Sequence, residues 1–247
     1  MRPLHTALLV VAVVGVAAAQ SADPLLLDTR LSVHTLLRED IFAGFRNNNM
    51  DRFSKGEQNI DILMKARPDQ RANLLAWKAG AATFRAVRAL ESGQAQEFER
   101  RYAEALDGFA AAAKFESGNE GVPAITGGTM AVFADRLPAK HRAGAWTIAY
   151  DNYSLLWKQQ GPGLDKLPLH HKGELLAGLT QSAQRTGRTE QAAQYLDKML
   201  TVLADTQYEA TARQWKSDPA SAATSNLTCK NCHNAGRLEN RVAALKP

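Results

Sequence analysis

Apolar residues recur at helical spacing through most of the chain. In "EQAAQYLDKMLTVLA" the residues Ala192, Leu196, Met199 and Leu203 follow one another at steps of four, three and four. Such steps place side chains on one face of an α-helix. The same spacing occurs in "NLLAWKAGAATFRAV", "RRYAEALDGFAAAAKF" and "REDIFAGF". The period-two alternation of strands is rare between residues 31 and 215, so the pattern predicts an all-α fold.

Short polar, glycine-containing or proline-containing stretches separate these segments of helical spacing. They are "NNN" at 47–49, "RPD" at 67–69, "ESG" at 91–93, "ESGNEGVP" at 116–123, "GPG" at 161–163 and the region of Gly187. Residues of these types favour turns. Helices separated by short turns pack as antiparallel hairpins, which is the arrangement that we expect here.

The stretch "GELLAGLTQSAQRTGRTEQAAQYLDKMLTVLAD" resembles the tetratricopeptide repeat, which pairs two helices with small residues at their crossing. Large residues Leu176 and Leu179 match the first helix, Gly187 the turn, Ala192 the small crossing position and Leu196 the large position that follows.

A second stretch, "MDRFSKGEQNIDILMKARPD", is similar to the second half of such a repeat through Phe53, Gly56, Ile60 and Pro68. Between Trp77 and Ala105 the spacing is too long for a standard repeat, which predicts an extended helix or an insertion there.

The resemblance covers roughly residues 31 to 210. It implies a TPR-like right-handed solenoid of antiparallel helix hairpins, whose concave surface binds a protein partner. It implies no chemistry, because a fold does not determine a function. A generic helical bundle with the same amphipathic stripes is the alternative.

The first residues have the features of an export signal. Arg2 and His5 precede the apolar run "ALLVVAVVGVAAA", and Ala17 and Ala19 fit an A-x-A cleavage site. We therefore interpret residues 1–19 as a signal peptide and predict a periplasmic or secreted protein, with no membrane span after cleavage. An uncleaved N-terminal anchor is the alternative.

The composition and charge of the chain bear on the partners that it could bind. The chain has 247 residues, 45% of them hydrophobic and 22% charged, with a net charge of +5. No run of Lys and Arg follows one face, so we expect no nucleic-acid partner.

We assign residues 20–215 to a TPR-like helical repeat domain, the small, polar residues 216–228 to a linker, and residues 229–247 to a tail.

Both cysteines of the chain lie in the tail, in the hexapeptide "TCKNCH". The C-x-x-C-H pattern resembles the haem-attachment site of c-type cytochromes. By that resemblance Cys229 and Cys232 form thioethers with the two vinyl groups of one covalent haem c, and His233 ligates the iron. Such attachment occurs outside the cytosol, which agrees with the predicted signal peptide.

The chain departs from ordinary cytochromes c because the motif lies close to its end. No Met or His follows His233, so a second axial ligand must come from upstream. The candidates are Met50, Met64, Met130, Met199, His34, His141, His170 and His171. We interpret "KLPLHHKGELL" as a loop before a helix, which makes His170 and His171 the most available. An iron with five ligands, or with water as the sixth, is equally consistent with the sequence.

Other interpretations of the two cysteines are a disulfide, a redox pair or a zinc site. A thioredoxin-like role requires a βαβ context, and closed zinc sites need a fourth ligand. Outside a haem we find no catalytic centre. The sequence therefore predicts an electron carrier, or a docking protein for a redox partner, rather than a catalyst. The alternatives are a periplasmic scaffold with a CxxC disulfide and no haem, and a haem enzyme with an open iron position.

Overall fold

The computed structural model describes residues 23–115, 119–224 and 236–245. The predicted signal peptide 1–19 lies outside these residues. Every regular element in the described part is helical, which confirms the all-α prediction. The α-helices are α1 Pro24–Leu27, α2 Val33–Asn47, α3 Met50–Ala66, α4 Arg71–Glu91, α5 Ala95–Phe115, α6 Gly121–Phe133, α7 Ala139–Gln160, α8 Leu169–Arg185, α9 Thr189–Val202, α10 Glu209–Ser217, α11 Pro219–Thr224 and α12 Arg237–Ala243. Three 3₁₀ turns lie at Pro68–Gln70, Ala134–Arg136 and Gly161–Lys166.

Consecutive helices pack as four pairs: α2 with α3, α4 with α5, α6 with α7, and α8 with α9. The first helix of each pair also contacts the first helix of the next, so that α2 touches α4, α4 touches α6, and α6 touches α8. The segment from Trp77 to Ala105 forms parts of the two 21-residue helices α4 and α5. The first helices thus form a continuous row through the described chain.

The turn between α2 and α3 shows how the sequence determines these boundaries. Ser32 begins α2 by accepting a hydrogen bond from the backbone N–H of Thr35 at 3.2 Å. Asn48 ends the helix in the left-handed conformation, with φ of 54°. Asn49 then begins α3 by accepting from the N–H of Arg52 at 3.1 Å. Asparagine suits both roles, because its short amide tolerates positive φ and caps a helix start.

Four phenylalanines join the first two pairs to α6. The ring of Phe45 lies 4.8 Å from that of Phe133, and the ring of Phe53 lies 4.8 Å from that of Phe84. All four rings are buried. Aromatic pairs at such distances add roughly 0.5–1.5 kcal/mol beyond the burial of their area. This cluster therefore holds α2, α3, α4 and α6 together.

Some expected boundaries differ from the structure. The turn expected at 116–123 ends early, because α6 already begins at Gly121, and Pro123 lies in its first turn, where its missing N–H costs no hydrogen bond. His170 and His171, expected on a loop, lie in the first turn of α8. The residues assigned to a linker include α11, in which Ala222 is buried. Among the described residues no helix is both long and apolar enough to cross a membrane.

Glycines at helix contacts are part of this packing. A Cβ on Gly178 of α8 would stand 2.2 Å from Cζ of Tyr153 on α7, and Tyr153 is itself buried. A Cβ on Gly144 of α7 would meet nothing within 4 Å. Gly178 thus lies at a close contact between α7 and α8, which belong to different helix pairs.

We expect Gly178→Ala and Gly144→Ala to change stability in opposite directions. The first forces the buried Tyr153 ring aside and should cost about 1–3 kcal/mol. The second removes an exposed helix glycine and should stabilise by about 0.5–1 kcal/mol. Urea unfolding followed by far-ultraviolet circular dichroism measures both. Equal changes in the two variants would contradict the packing described here.

Candidate functional site

The predicted attachment residues Cys229, Cys232 and His233 lie outside the described residues. The chain on either side of them is described as far as α11 and again from Gly236. On each side, a buried side chain of the helical body forms hydrogen bonds with the flanking chain. In both cases that side chain is far in sequence from the flank that it contacts.

Glu39 on α2 binds the chain that follows the motif. Its carboxylate accepts hydrogen bonds from the backbone N–H of Gly236 at 3.2 Å and from that of Leu238 at 2.6 Å. These groups are at the start of α12, where N–H groups lack partners within the helix. Glu39 is only 8% exposed, so water competes little for these bonds. The carboxylate therefore caps α12 across 197 residues of sequence.

Apolar and backbone contacts complete the docking of α12. Leu238, Val242 and Leu245 pack against the hydrophobic core. The guanidinium of Arg30 donates to the backbone oxygen of Leu245 at 3.4 Å. The tail beyond Gly236 is thus packed against the helices near the start of the described chain.

Arg185 at the end of α8 binds the chain that precedes the motif. Its guanidinium donates to the backbone oxygen of Ala222 in α11 at 2.7 Å and pairs with Asp135 at 3.0 Å. It also lies 4.2 Å over the ring of Trp146. Burial lowers the pKa of Arg185, while Asp135 opposes that shift. The guanidinium thus links α8, α11 and the turn after α6.

A cavity of about 380 Å³ opens along the row of first helices. On α2 the lining residues His34, Arg38 and Phe42 lie four residues apart, so they share one face of the helix. Its other walls come from α4, α6, α7 and α8, through Asn73, Trp77, Gly121, Ala124, Ile125, Gly128, Thr129, Tyr153, Leu156, Gln160, His170, His171, Glu174 and Leu175. The size is within the roughly 300–1,000 Å³ of pockets that hold cofactor-sized ligands.

The cavity lies beside the fastened tail. Arg38 lines it, and the next residue of α2 is Glu39, which caps α12. From α12, Arg237 is close enough for its charge to act on His170 in the cavity wall. The described chain therefore resumes after the predicted attachment motif at the edge of this cavity.

Three of the candidate axial ligands line the cavity, and all three imidazoles have a lowered pKa. Burial, then the charge of Arg38, lowers the pKa of His34 to about 4. Burial also lowers the pKa of His170 to about 4, with help from His171, Arg237 and Arg38. Burial lowers the pKa of His171, and Glu120 opposes the shift. At neutral pH these imidazoles are uncharged, which is the form that ligates a metal.

The other candidate ligands are elsewhere. Met130 and Met199 are fully buried in the core. Met50 and Met64 pack against that core from partly buried positions. His141 faces Glu99, with its Nε2 3.2 Å from a carboxylate oxygen. None of these five side chains lines the cavity.

Sequence reasoning missed the role of Trp77 and Asn73. Trp77 matched a helical stripe, yet it lies in the cavity wall with its ring 5.3 Å from that of His34. In the described part of the chain, Trp77 Nε1 and Asn73 Oδ1 are buried without a hydrogen-bond partner. The signal that could have found this wall is the mixed polar and aromatic stripe of residues 34, 38 and 42, which is unusual for a core face.

A bare metal ion has no obvious place in this part of the protein. No group of three or more His, Cys, Asp or Glu side chains suited to a metal ion occurs in the described ranges 23–115, 119–224 and 236–245. The cavity instead offers the imidazole of His34 on α2 and the two neighbouring imidazoles of His170 and His171 on α8.

Comparison of the chain with models of protein families, with curated proteins and with solved structures found no match in any of the three. What the cavity and the tail do must therefore follow from the residues of this chain.

We expect Glu39→Ala to release α12 while the helical body stays folded. The variant removes the side-chain cap from two partly buried N–H groups. The loss should be about 1–2 kcal/mol, or roughly five- to thirtyfold faster exchange. Hydrogen exchange of the peptide covering residues 236–245 measures this loss.

Asp40→Ala is the matched control. Asp40 is on the same helix and pairs with Arg52 at 2.7 Å, as Glu39 does more weakly at 3.7 Å, but no contact joins it to α12 in the described chain. Its exchange at 236–245 should equal that of the wild type. Equal loss of protection in both variants would show that Arg52, not the cap, holds α12.

Proposed function

We propose that this chain is an exported haem c protein that transfers single electrons and docks a redox partner. One haem is bound covalently through Cys229 and Cys232, and His233 ligates its iron. The observation that carries the proposal is the sequence Cys229-Lys-Asn-Cys232-His233, which uses both cysteines of the chain at the spacing that haem attachment needs.

The anchoring of the tail supports this proposal. His233 precedes Gly236 by three residues, and three residues of chain span at most about 11 Å. The N–H of Gly236 is hydrogen-bonded to Glu39, which adjoins Arg38 in the cavity wall. The described chain therefore resumes beside the cavity three residues after the proposed iron ligand, and this nearness supports the proposal.

The residues of the cavity fit a haem. Phe42, Ile125, Leu156 and Leu175 supply the apolar wall that a macrocycle requires and exclude water from it. Arg38 supplies positive charge suited to a propionate carboxylate. When bound, the haem supplies an iron that accepts and releases one electron, and the surrounding polarity adjusts its reduction potential.

The packing of the helices supports the finer description of the fold. Each first helix contacts its own partner and the first helix of the next pair. Repeated contact between neighbouring pairs is typical of a solenoid, and we propose the right-handed, TPR-like form. The row of first helices would then be the concave surface, on which a redox partner docks near the haem.

The test is denaturing mass spectrometry of the protein exported from a host with cytochrome c maturation machinery. The visible absorption spectrum of the same sample is recorded with it. We expect the wild type to be red and to retain the mass of one haem after denaturation, because thioether bonds survive unfolding. Cys229→Ser combined with Cys232→Ser should be colourless, with unchanged helical circular dichroism.

Asn231→Ser is the control, since it alters the motif at a position that takes no part in attachment. It should retain the haem. A colourless wild type that is two hydrogens lighter than its reduced form would contain a disulfide instead, and the scaffold without haem would replace this proposal.

A further inference from the structure

A second cavity, of about 500 Å³, is lined by α7 and α9, the second helices of the last two pairs. Its volume is within the range of pockets that hold small ligands. Its lining residues differ from those of the first cavity. They include two aromatic side chains, Trp157 and Tyr195, and four polar ones, Gln194, Asp197, Lys198 and Thr201.

We propose that this second cavity binds an oligosaccharide of pyranose rings with equatorial substituents, such as β-linked glucose or N-acetylglucosamine. One sugar ring stacks on Trp157, and its hydroxyl groups form hydrogen bonds with the polar side chains of α9. The site is independent of a haem, because it shares no lining residue with the first cavity.

The aromatic pair supplies the surface for stacking. The rings of Trp157 and Tyr195 lie 5.7 Å apart, with an angle of 73° between their planes. Both side chains are only partly buried, so each keeps an accessible surface. A pyranose with equatorial substituents presents its axial C–H groups on one face. Those weakly positive C–H groups are attracted to the negative face of an aromatic ring.

Contacts on both helices restrain the aromatic pair before a ligand binds. A Cβ on Gly161 would stand 3.1 Å from Cδ2 of Trp157, so the backbone of the turn after α7 lies against the indole. The hydroxyl groups of Tyr195 and Tyr150 are hydrogen-bonded to each other. The guanidinium of Arg188 lies 4.2 Å over the ring of Tyr150. A platform held in this way loses little conformational freedom when a sugar stacks on it.

The polar side chains beside the platform retain hydrogen-bonding capacity. In the part of the chain that the structure describes, the exposed amide of Gln194 has no hydrogen-bond partner. The hydroxyl of Thr201 donates to the backbone oxygen of Asp197 at 3.0 Å, which leaves its lone pairs available. The carboxylate of Asp197 accepts from Lys216 at 2.6 Å and can accept further bonds. Sugar hydroxyls need such donors and acceptors next to an apolar surface.

The charges of the site favour a neutral sugar over a cationic ligand. Asp197 is paired with Lys216, and Nζ of Lys198 lies 5.8 Å from the ring centroid of Trp157. Two ammonium groups thus accompany one carboxylate, so a second cation over the indole would be repelled. Lys198 is exposed, and its distance is close to the limit of about 6 Å for a cation–π contact. The side chain can therefore move aside and donate to a sugar hydroxyl.

Isothermal titration calorimetry of the full chain tests this proposal, with cellotriose and N,N′,N″-triacetylchitotriose as probes. We expect saturable binding of at least one trisaccharide. Trp157→Ala should weaken that binding roughly tenfold or more, because stacking on an aromatic side chain contributes a factor of this order to affinity. Trp157→Phe keeps a smaller ring and should bind with intermediate affinity.

Gln194→Ala keeps the proposal testable if Trp157→Ala does not fold, because Gln194 is an exposed side chain. This variant should weaken binding roughly two- to tenfold, which is the contribution of one hydrogen bond. Gln191→Ala is the matched control. Gln191 is exposed on the same helix one turn earlier and does not line the cavity. Its affinity should equal that of the wild type, with the same helical circular dichroism.

Three results would overturn the inference. The first is the absence of binding of both trisaccharides to the wild type. The second is unchanged affinity in Trp157→Ala and Gln194→Ala, or an equal loss in Gln194→Ala and Gln191→Ala. The third is saturable binding of tetramethylammonium chloride, lost in Trp157→Ala, by a protein that binds neither trisaccharide. That result would assign the aromatic pair to a cation instead.

Discussion

The capping of α12 by Glu39 is the interaction on which the candidate site depends. Helix pairs α2–α3 to α8–α9 would form the same row without it, because the contacts that build the row lie within and between successive pairs. In the described part of the tail, the buried carboxylate of Glu39 accepts two N–H bonds and so joins α12 to α2, while Leu238 and Val242 pack against the hydrophobic core. Since buried charged hydrogen bonds are costly to leave unmade, this contact fixes where the tail lies.

The cavity depends on the same row of helices in a different way. Each first helix lines the cavity with several residues rather than one, so no single helix forms the whole wall of the cavity. Trp77 and Tyr153 form parts of its wall while they also belong to the core. The interior of the fold and the wall of the site are therefore continuous, and a change in helix packing alters the cavity as well as the stability.

The sequence predicted the helices well and the site only in part. Periodicity is local, so the stripe of Ala192, Leu196 and Met199 was enough to predict α9, and all three are buried there. The docking of α12 was not predictable, because nothing in the neighbourhood of Glu39 indicates a partner 197 residues away. His34, His170 and His171 were among eight candidate ligands, and only the assembled helices show that these three line the cavity and the other five do not. The haem motif itself stays a prediction from sequence.

The distance along the chain between α2 and α12 has a consequence for the order of assembly. Contacts within a helix pair close short loops, whereas the contact of Glu39 with α12 closes a loop of nearly the whole protein. Long closures cost more entropy and form late, after the local contacts that make them favourable. The helical body is then complete before its last segment is fastened.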